Sequence, residues 1–326
     1  MSAVLPESEM QPAAAAGPPE LFIVMNRGSG STEKDESRRA IEAELMGAAR
    51  PHRFVPVAPG ELPQACRDAA RLAKAHGGVL VAVGGDGTIN AAAQAALTED
   101  CPLGVIAQGT FNLFARQLGL PLDAGQAAQA ILQAQPEPVQ VGLVNERVFL
   151  VNASVGLYPK LLADRETVKQ KLGRRRWIAM LAALKSMLEW RLQLRLDGEV
   201  DGELTKLRTS SIFVCNNQLQ VERVGIEEKV VAQLANGRMV CLLVRASDWW
   251  AKLRLLGAAL LGRLGQVHEI DAFSLRTLSV TTRNARQVKV ATDGEVQWMQ
   301  LPLRFTVAPR PLKVMLPPPE QRLPRE

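Results

Sequence analysis

Residues 79–90 read VLVAVGGDGTIN, and the fold is decided here. Val79 to Val83 is a run of apolar, mostly β-branched residues and predicts a buried strand. Gly84-Gly85-Asp86-Gly87-Thr88 then turns the chain, and Ile89 to Leu97, rich in alanine, predicts a helix. A strand feeding a glycine turn and a helix start aims free backbone N–H groups at one point, which suits phosphate. Glycine matters where the backbone must come close to a ligand or take positive φ. Asp86 adds a carboxylate that repels phosphate unless a cation sits between them. The turn therefore points to a metal–nucleotide site rather than a bare anion site.

Taken alone, Gly-Gly-Asp-Gly is equally a plain strand-to-helix connection. It is not a Walker loop, because no Gly-Lys-Ser/Thr follows, and it lacks the G-x-G-x-x-G spacing of a dinucleotide fingerprint. Two neighbouring units strengthen the ligand reading. Leu103 to Ile106 is a short apolar strand, Ala107-Gln108-Gly109-Thr110 a turn, and Phe111 to Leu118 a helix stopped by Gly119 and Pro121. Upstream, Leu21 to Met25 is a strand, Asn26-Arg27-Gly28-Ser29-Gly30 a glycine turn, and a helix follows to about Ala49. Three such units bring three phosphate-seeking loops to the carboxyl edge of one parallel sheet.

From 21 to about 135 strand and helix alternate: strands at 52–57, 79–83 and 103–106, helices at 61–76, 89–97, 111–118 and 124–135. The alternation predicts an α/β domain with a parallel sheet. Gln135-Pro136-Glu137-Pro138 reads as the boundary. Beyond it, hairpin signals dominate. They are Val139–Val144 and Val148–Ala153 around Asn145-Glu146, a turn at Asp197-Gly198, and Val230–Leu234 and Met239–Val244 around Asn236-Gly237. Thr277–Thr281, Gln287–Thr292, Val296–Met299 and Leu303–Val307 follow, with Asp293-Gly294 as a turn. This part reads as an antiparallel β domain with helical stretches near 161–190 and 247–264.

The chain has 326 residues and a formal net charge of +6, which favours anionic partners such as nucleotide or an anionic membrane surface. Cys66, Cys101, Cys215 and Cys241 are scattered without C-x-x-C, so neither a disulfide framework nor zinc is expected. His52, His76 and His268 lack metal spacing. Residues 1–20 read as a disordered leader without signal-peptide features, and no run of about 20 apolar residues exists. Basic residues, tryptophan and leucine share Lys169–Leu181 and Trp249–Arg263, a pattern that suits either a membrane interface or a packed helix with a solvated cationic face. Nucleic acid is not expected as a partner, because the basic run lacks interleaved aromatic platforms.

GGDGTIN at 84–90, LGVIAQGTFNLFARQLGLP at 103–121, FVCNN at 213–217 and TDGEV at 292–296 occur in that order. Together they resemble the diacylglycerol kinase catalytic-domain family, which includes bacterial lipid kinases and sphingosine kinases. The resemblance covers roughly 20–316. It implies an α/β nucleotide-binding domain over 21–136, joined by a returning segment at about 308–320 that includes Leu312–Leu316. It implies a β-sandwich lipid-substrate domain over 137–307.

By the same resemblance, ATP with Mg²⁺ is the phosphate donor and a lipid hydroxyl, diacylglycerol by default, the acceptor. The nucleotide is held by Gly84, Gly85, Asp86, Gly87, Thr88 and Asn90, by Gly109, Thr110 and Asn112, and by Asn26, Gly28 and Gly30 of the first loop. Asp86 meets the metal through Mg-ATP. Glu295 is the general base and Asp293 its supporting neighbour. Asp-Gly-Glu occurs at 197–199, 201–203 and 293–295, and the third alone lies in the late β run that the family requires. The protein is then expected in the cytoplasm, peripheral to the inner face of a membrane, with a homodimer left open.

Several positions depart from the family pattern. Ala91 and Leu113 stand where acids are common, Pro56 where a threonine lines the ATP site, Asn236 where an aspartate helps hold a structural Mg²⁺, and Arg27 where the first loop usually has proline. Two other functions share some of these features: an NAD kinase, which has the same glycine turn, and a non-catalytic nucleotide- or lipid-binding regulator.

Overall fold

In a computed structural model of the chain, the described residues are 17–26, 31–58, 60–156, 194–201, 203–209, 211–223, 225–244, 270–281 and 285–325. The N-terminal part alternates β1 (Leu21–Met25), α1 (Ser31–Gly47), β2 (His52–Val55), α2 (Leu62–Ala75), β3 (Val79–Gly84), α3 (Asp86–Glu99), β4 (Leu103–Ala107), α4 (Leu113–Gln117) and α5 (Ala124–Gln133). Strands β1 to β4 are parallel, and every residue of β1, β4 and Val79–Val83 is buried. That burial on both faces is why these strands read as unbroken apolar runs rather than alternating ones. One face carries α2 and α3. Helix α2 turns Ala65, Cys66, Ala69, Ala70 and Ala73 inward, small side chains that let it sit close to the sheet. The other face carries α1 and α5 over Ile23, Val81 and Ile106.

The remaining strands are β5 (Gln135–Val139), β6 (Gly142–Val144), β7 (Arg147–Phe149), β8 (Asn152–Gly156), β9 (Leu194–Val200), β10 (Glu203–Thr209), β11 (Ser211–Cys215), β12 (Met239–Val244), β13 (Ile270–Leu275), β14 (Thr277–Thr281), β15 (Gln287–Thr292), β16 (Glu295–Gln300), β17 (Leu303–Val307) and β18 (Leu312–Leu316). Two short helices, α6 (Gln218–Arg223) and α7 (Glu228–Val231), follow β11. Two antiparallel sheets, ordered β10-β9-β14-β17-β6-β7 and β13-β12-β11-β8-β15-β16, enclose a second core. Phe149, Phe305 and Leu303 fill it from the first sheet, and Ile212, Val214 and Val290 from the second. The chain is thus an N-terminal α/β domain followed by an antiparallel sandwich. Strand β18 returns to the α/β sheet, whose order is β2-β1-β3-β4-β18-β5.

Several elements differ from the sequence expectation. Gln135–Pro138, read as the boundary, is itself strand β5, paired antiparallel with β18, and the first sandwich strand begins at Gly142. Strand β5 is an edge strand, where Pro136 and Pro138 cost little because the outer N–H side has no ladder to serve. Asp197-Gly198 is not a turn: both residues lie inside β9, paired with Lys206 and Thr205. The turn comes at Asp201, which takes φ of 51° and accepts hydrogen bonds from the N–H groups of Arg276 and Thr277. Val230–Leu234 is not a strand either. It spans the end of α7 and a 3₁₀ turn over Ala232–Asn236 that Gly237 closes at φ of 71°. Glycine at positive φ serves a helix end as readily as a hairpin, which is why Asn-Gly misled there. Helix α3 starts at Asp86 rather than Ile89, with Gly85 extended before it. Helix α4 starts at Leu113 rather than Phe111, behind Asn112 at φ of 51°. The helical stretches expected near 161–190 and 247–264, and the leader through residue 16, lie outside the described residues.

Candidate active site

Strands β1, β3 and β4 are neighbours, so the loops leaving their carboxyl ends emerge side by side. The Asn26 N–H donates to the Val83 carbonyl at 3.3 Å, and the Gln108 N–H to the Gly84 carbonyl at 2.8 Å. Gly28 and Gly30 of the first loop lie outside the described residues. The other two loops touch through their glycines. A β-carbon on Gly109 would lie 2.8 Å from the Gly85 Cα and 2.9 Å from Asn112 Oδ1, and one on Gly84 would lie 2.7 Å from Thr88 Oγ1. The obstacle at Gly109 is the Gly85 backbone and at Gly84 the Thr88 side chain, so neither position admits a side chain without a shift.

Asn112 shapes the second loop. Its Oδ1 accepts from the Gly109 N–H at 2.8 Å and its Nδ2 donates to the Gly109 carbonyl at 2.9 Å, while its own N–H donates to Asp86 Oδ2 at 3.1 Å. Thr110 stands exposed at the rim, beside Phe111. Asp86 heads α3. Burial pushes its pKa up, and the backbone N–H groups of Asn112 and Leu113 oppose that. Its Oδ1 is buried without a hydrogen-bond partner. A carboxylate oxygen left bare beside helix-start N–H groups fits a hard cation that takes its other ligands from phosphate and water. Among the described residues no three His, Cys, Asp or Glu side chains cluster as a metal cage. Ala91 and Leu113 pack on the apolar core, and Pro56 is exposed just past β2.

The sandwich supplies the opposite wall. Asp293 (φ 48°) and Gly294 (φ 90°) form the tight turn between β15 and β16. Positive φ at both central residues is the turn geometry that matches the twist of a two-residue hairpin. The Asp293 carboxylate points inward. Its Oδ1 accepts from the N–H groups of Val151 (2.9 Å) and Asn152 (3.0 Å), its Oδ2 from Leu150 N–H (2.7 Å) and Asn90 Nδ2 (2.6 Å). Burial pushes its pKa up, and these four donors work against that. Every partner is a donor, so the ionised form completes every bond. Asn90 Nδ2 also donates to the Val148 carbonyl at 3.1 Å. Asp293 thus acts as a tie between the hairpin, the start of β8 and helix α3.

The tie places Glu295 against the glycine turn. A β-carbon on Gly87 would lie 2.8 Å from Glu295 Oε1. Glu295 Oε2 lies 3.6 Å from Arg147 Nη2, and the Glu295 side chain is 59% exposed, open to an incoming group. Glycine turn, Asp86, Asn112 and Glu295 therefore converge on one cleft. That geometry can hold phosphates and a cation on one side and accept a proton on the other.

Sequence reasoning missed some of the seam. Asn216 Nδ2 donates to the carbonyls of Gln140 (3.1 Å) and Leu150 (3.3 Å), and Asn217 Nδ2 to the Leu113 carbonyl (3.2 Å). These are the asparagines of FVCNN, a motif recognised but not assigned to the site. Gln94 bridges α3 to β7 through Val148 N–H and the Glu146 carbonyl. Arg147 carried no signal at all.

Two family models match the chain: the diacylglycerol kinase catalytic domain over residues 20–144, and the YegS C-terminal NAD kinase beta sandwich-like domain over residues 161–316. An uncharacterized protein of Synechocystis sp. is 34% identical over 139 residues, which are 42% of this chain and 31% of that protein. A diacylglycerol kinase of Mycobacterium tuberculosis is 27% identical over 266 residues, 76% of this chain and 80% of that one. A solved structure of a diacylglycerol kinase from Bacillus anthracis shares the fold, with a TM-score of 0.64 at 17% identity over 93% of this chain and 98% of that one. With an α/β glycine-turn domain matching one model and an antiparallel sandwich matching the other, the chain belongs to the diacylglycerol kinase catalytic-domain family and is a lipid kinase.

Proposed function

We propose that the protein transfers the γ-phosphate of ATP, bound with Mg²⁺, to the hydroxyl of a diacylglycerol or a closely related lipid alcohol, with Glu295 as general base. The observation that carries this reading is the approach of Glu295 Oε1 to Gly87, 2.8 Å from where a β-carbon would stand, which brings a carboxylate of the sandwich to the first turn of α3. A lipid alcohol is a weak nucleophile. As its oxygen forms a bond to the γ-phosphorus, the bond from that phosphorus to the bridging oxygen breaks, ADP leaves, and the hydroxyl proton passes to Glu295. Asp86, with its bare Oδ1, would hold the Mg²⁺, which neutralises phosphate charge. Gly84–Gly87 and the 109–112 loop would give the phosphates close approach to backbone, and Thr88 and Asn90 would fix the start of α3. Asn26, Gly28, Gly30 and Thr110 would border the nucleotide, and Asp293 would hold the base hairpin in register.

The acceptor is a membrane lipid, so the enzyme would work at the inner surface of a membrane. Among the described residues no helix is long and apolar enough to cross one. The direct test supplies labelled ATP and Mg²⁺ with a panel of lipid alcohols, NAD and no acceptor. Label should appear in diacylglycerol or a related lipid, and Glu295→Gln should cut turnover by ~10²-fold or more, the usual worth of a general base. Label in NAD alone, or full activity in the Glu295 variant, overturns the reading.

A further inference from the structure

We propose that Arg147 is a positioning residue for Glu295: it holds the carboxylate by Oε2 and so aims Oε1 at the glycine turn. This rests on the kinase reading above and adds to it a residue that no motif marks.

Glu295 needs such a hold. It is the first residue of β16, an edge strand with a neighbour on one side only, and its side chain is 59% exposed. Left in solvent, three rotatable bonds would spread the carboxylate over many positions, whereas a reacting group must be held within ~0.5 Å. Its two oxygens are differentiated. Oε1 faces Gly87, and Oε2 faces Arg147 Nη2 at 3.6 Å. At that separation the guanidinium attracts the carboxylate without a direct hydrogen bond, so it steers the base and leaves its lone pairs for the lipid hydroxyl.

Arg147 is itself well placed to steer. It opens β7, paired with Val144 of β6. Both flanking peptides are tied to Gln94 of α3, through the Glu146 carbonyl at 3.2 Å and the Val148 N–H at 2.8 Å. The same helix begins beside Gly87, so the guanidinium and the glycine turn are referenced to one rigid element. The Arg147 side chain is 30% exposed, yet its Nε is buried without a hydrogen-bond partner. An arginine kept there at the cost of a bare N–H is poorly explained as a solvated surface cation.

The test is a double-mutant cycle on the full chain. Turnover and KM are measured with saturating lipid for wild type, Arg147→Met, Arg147→Lys, Glu295→Gln and the Arg147→Met/Glu295→Gln pair. Arg147→Met should lower kcat roughly tenfold, less than the ~10²-fold that a 1 Å misplacement can cost, with KM for ATP little changed. Arg147→Lys should recover part of that loss, and it carries the comparison if the Met variant does not fold. The double variant should be no slower than Glu295→Gln, because a residue acting through the base has nothing left to position. Losses that multiply, or a raised KM for ATP with kcat intact, overturn the inference in favour of a direct phosphate contact. Full kcat in Arg147→Met overturns it outright. A wild-type chain with no transfer to any lipid removes the parent reading, and this one with it.

Discussion

Gly87→Ala separates what the helix wants from what the cleft needs. Gly87 lies in the first turn of α3 with ordinary helical backbone, so alanine is acceptable locally and favoured by ~0.5–1 kcal/mol over glycine in a helix. The added β-carbon would stand 2.8 Å from Glu295 Oε1, where ordinary contact begins at 3.4 Å. Something must therefore give by about 0.6 Å, the difference between those two distances. The obstacle is the far end of a flexible side chain, 59% exposed, so the carboxylate yields and the backbone does not. A base shifted by that much loses alignment with the hydroxyl. Scaled from the ~10²-fold cost of a 1 Å misplacement, kcat should fall about tenfold. Steady-state kinetics and a thermal melt on the same preparation read both effects. The expected pair is a reduced kcat beside a melting temperature equal to or above that of wild type. A lowered melting temperature, full kcat, or a loss confined to KM for ATP would each show that Glu295 does not sit against this turn in the working enzyme.

Asp86→Asn should likewise divide stability from activity. Replacing a half-buried carboxylate whose buried Oδ1 has no partner relieves a desolvation cost, so the melting temperature should hold or rise while turnover collapses and its Mg²⁺ dependence shifts to higher metal. A destabilised variant with normal Mg²⁺ response would refute the cation assignment. Asp201 gives a pH signature away from the cleft. Burial pushes its carboxyl up, but the N–H groups of Thr277 and Arg276 and the Arg238 guanidinium outweigh that and hold it below the ordinary value. A depressed carboxyl stabilises the fold above its unfolded pKa of about 3.9, and that stability drains as pH falls through the folded value. Asp201→Asn should therefore lower stability at neutral pH and flatten the acid-side loss below about pH 4. Parallel melting curves for variant and wild type across that range would contradict it.

The sheet was legible because its physics is local. Val79–Val83 and Leu103–Ile106 are buried on both faces, and only apolar residues tolerate that. The glycine turns were legible because close backbone approach leaves glycine no substitute. Where one residue pattern serves two geometries, the reading failed. Asn236-Gly237 closes a 3₁₀ turn instead of a hairpin. Asp197-Gly198 runs straight through a strand, while Asp201, four residues on, takes positive φ at the strand's end. Pro136 and Pro138 mark a boundary in the sequence and conceal that the same residues are a strand, because the partner that pairs with them, β18, lies far along the chain. In the cleft, Asp86, Asn112 and Asp293 stood out by motif. Arg147 could not, since its meaning lies in a carboxylate far along the chain that only the assembled seam brings within 3.6 Å.

The place of β18 has a consequence for how the molecule comes into being. Its sheet partners, β4 and β5, are made before the whole sandwich, whereas β18 is made after it. During synthesis the α/β sheet must wait, with Leu103 and Val139 lacking their final neighbours, until the strands of the sandwich have been made. Two chain crossings, at 140–141 and 308–311, then join the halves instead of one. With the Asn90–Asp293 and Gln94–Val148 hydrogen bonds across the seam, two crossings fix the place of Glu295 beside Gly87 more firmly than a single linker would.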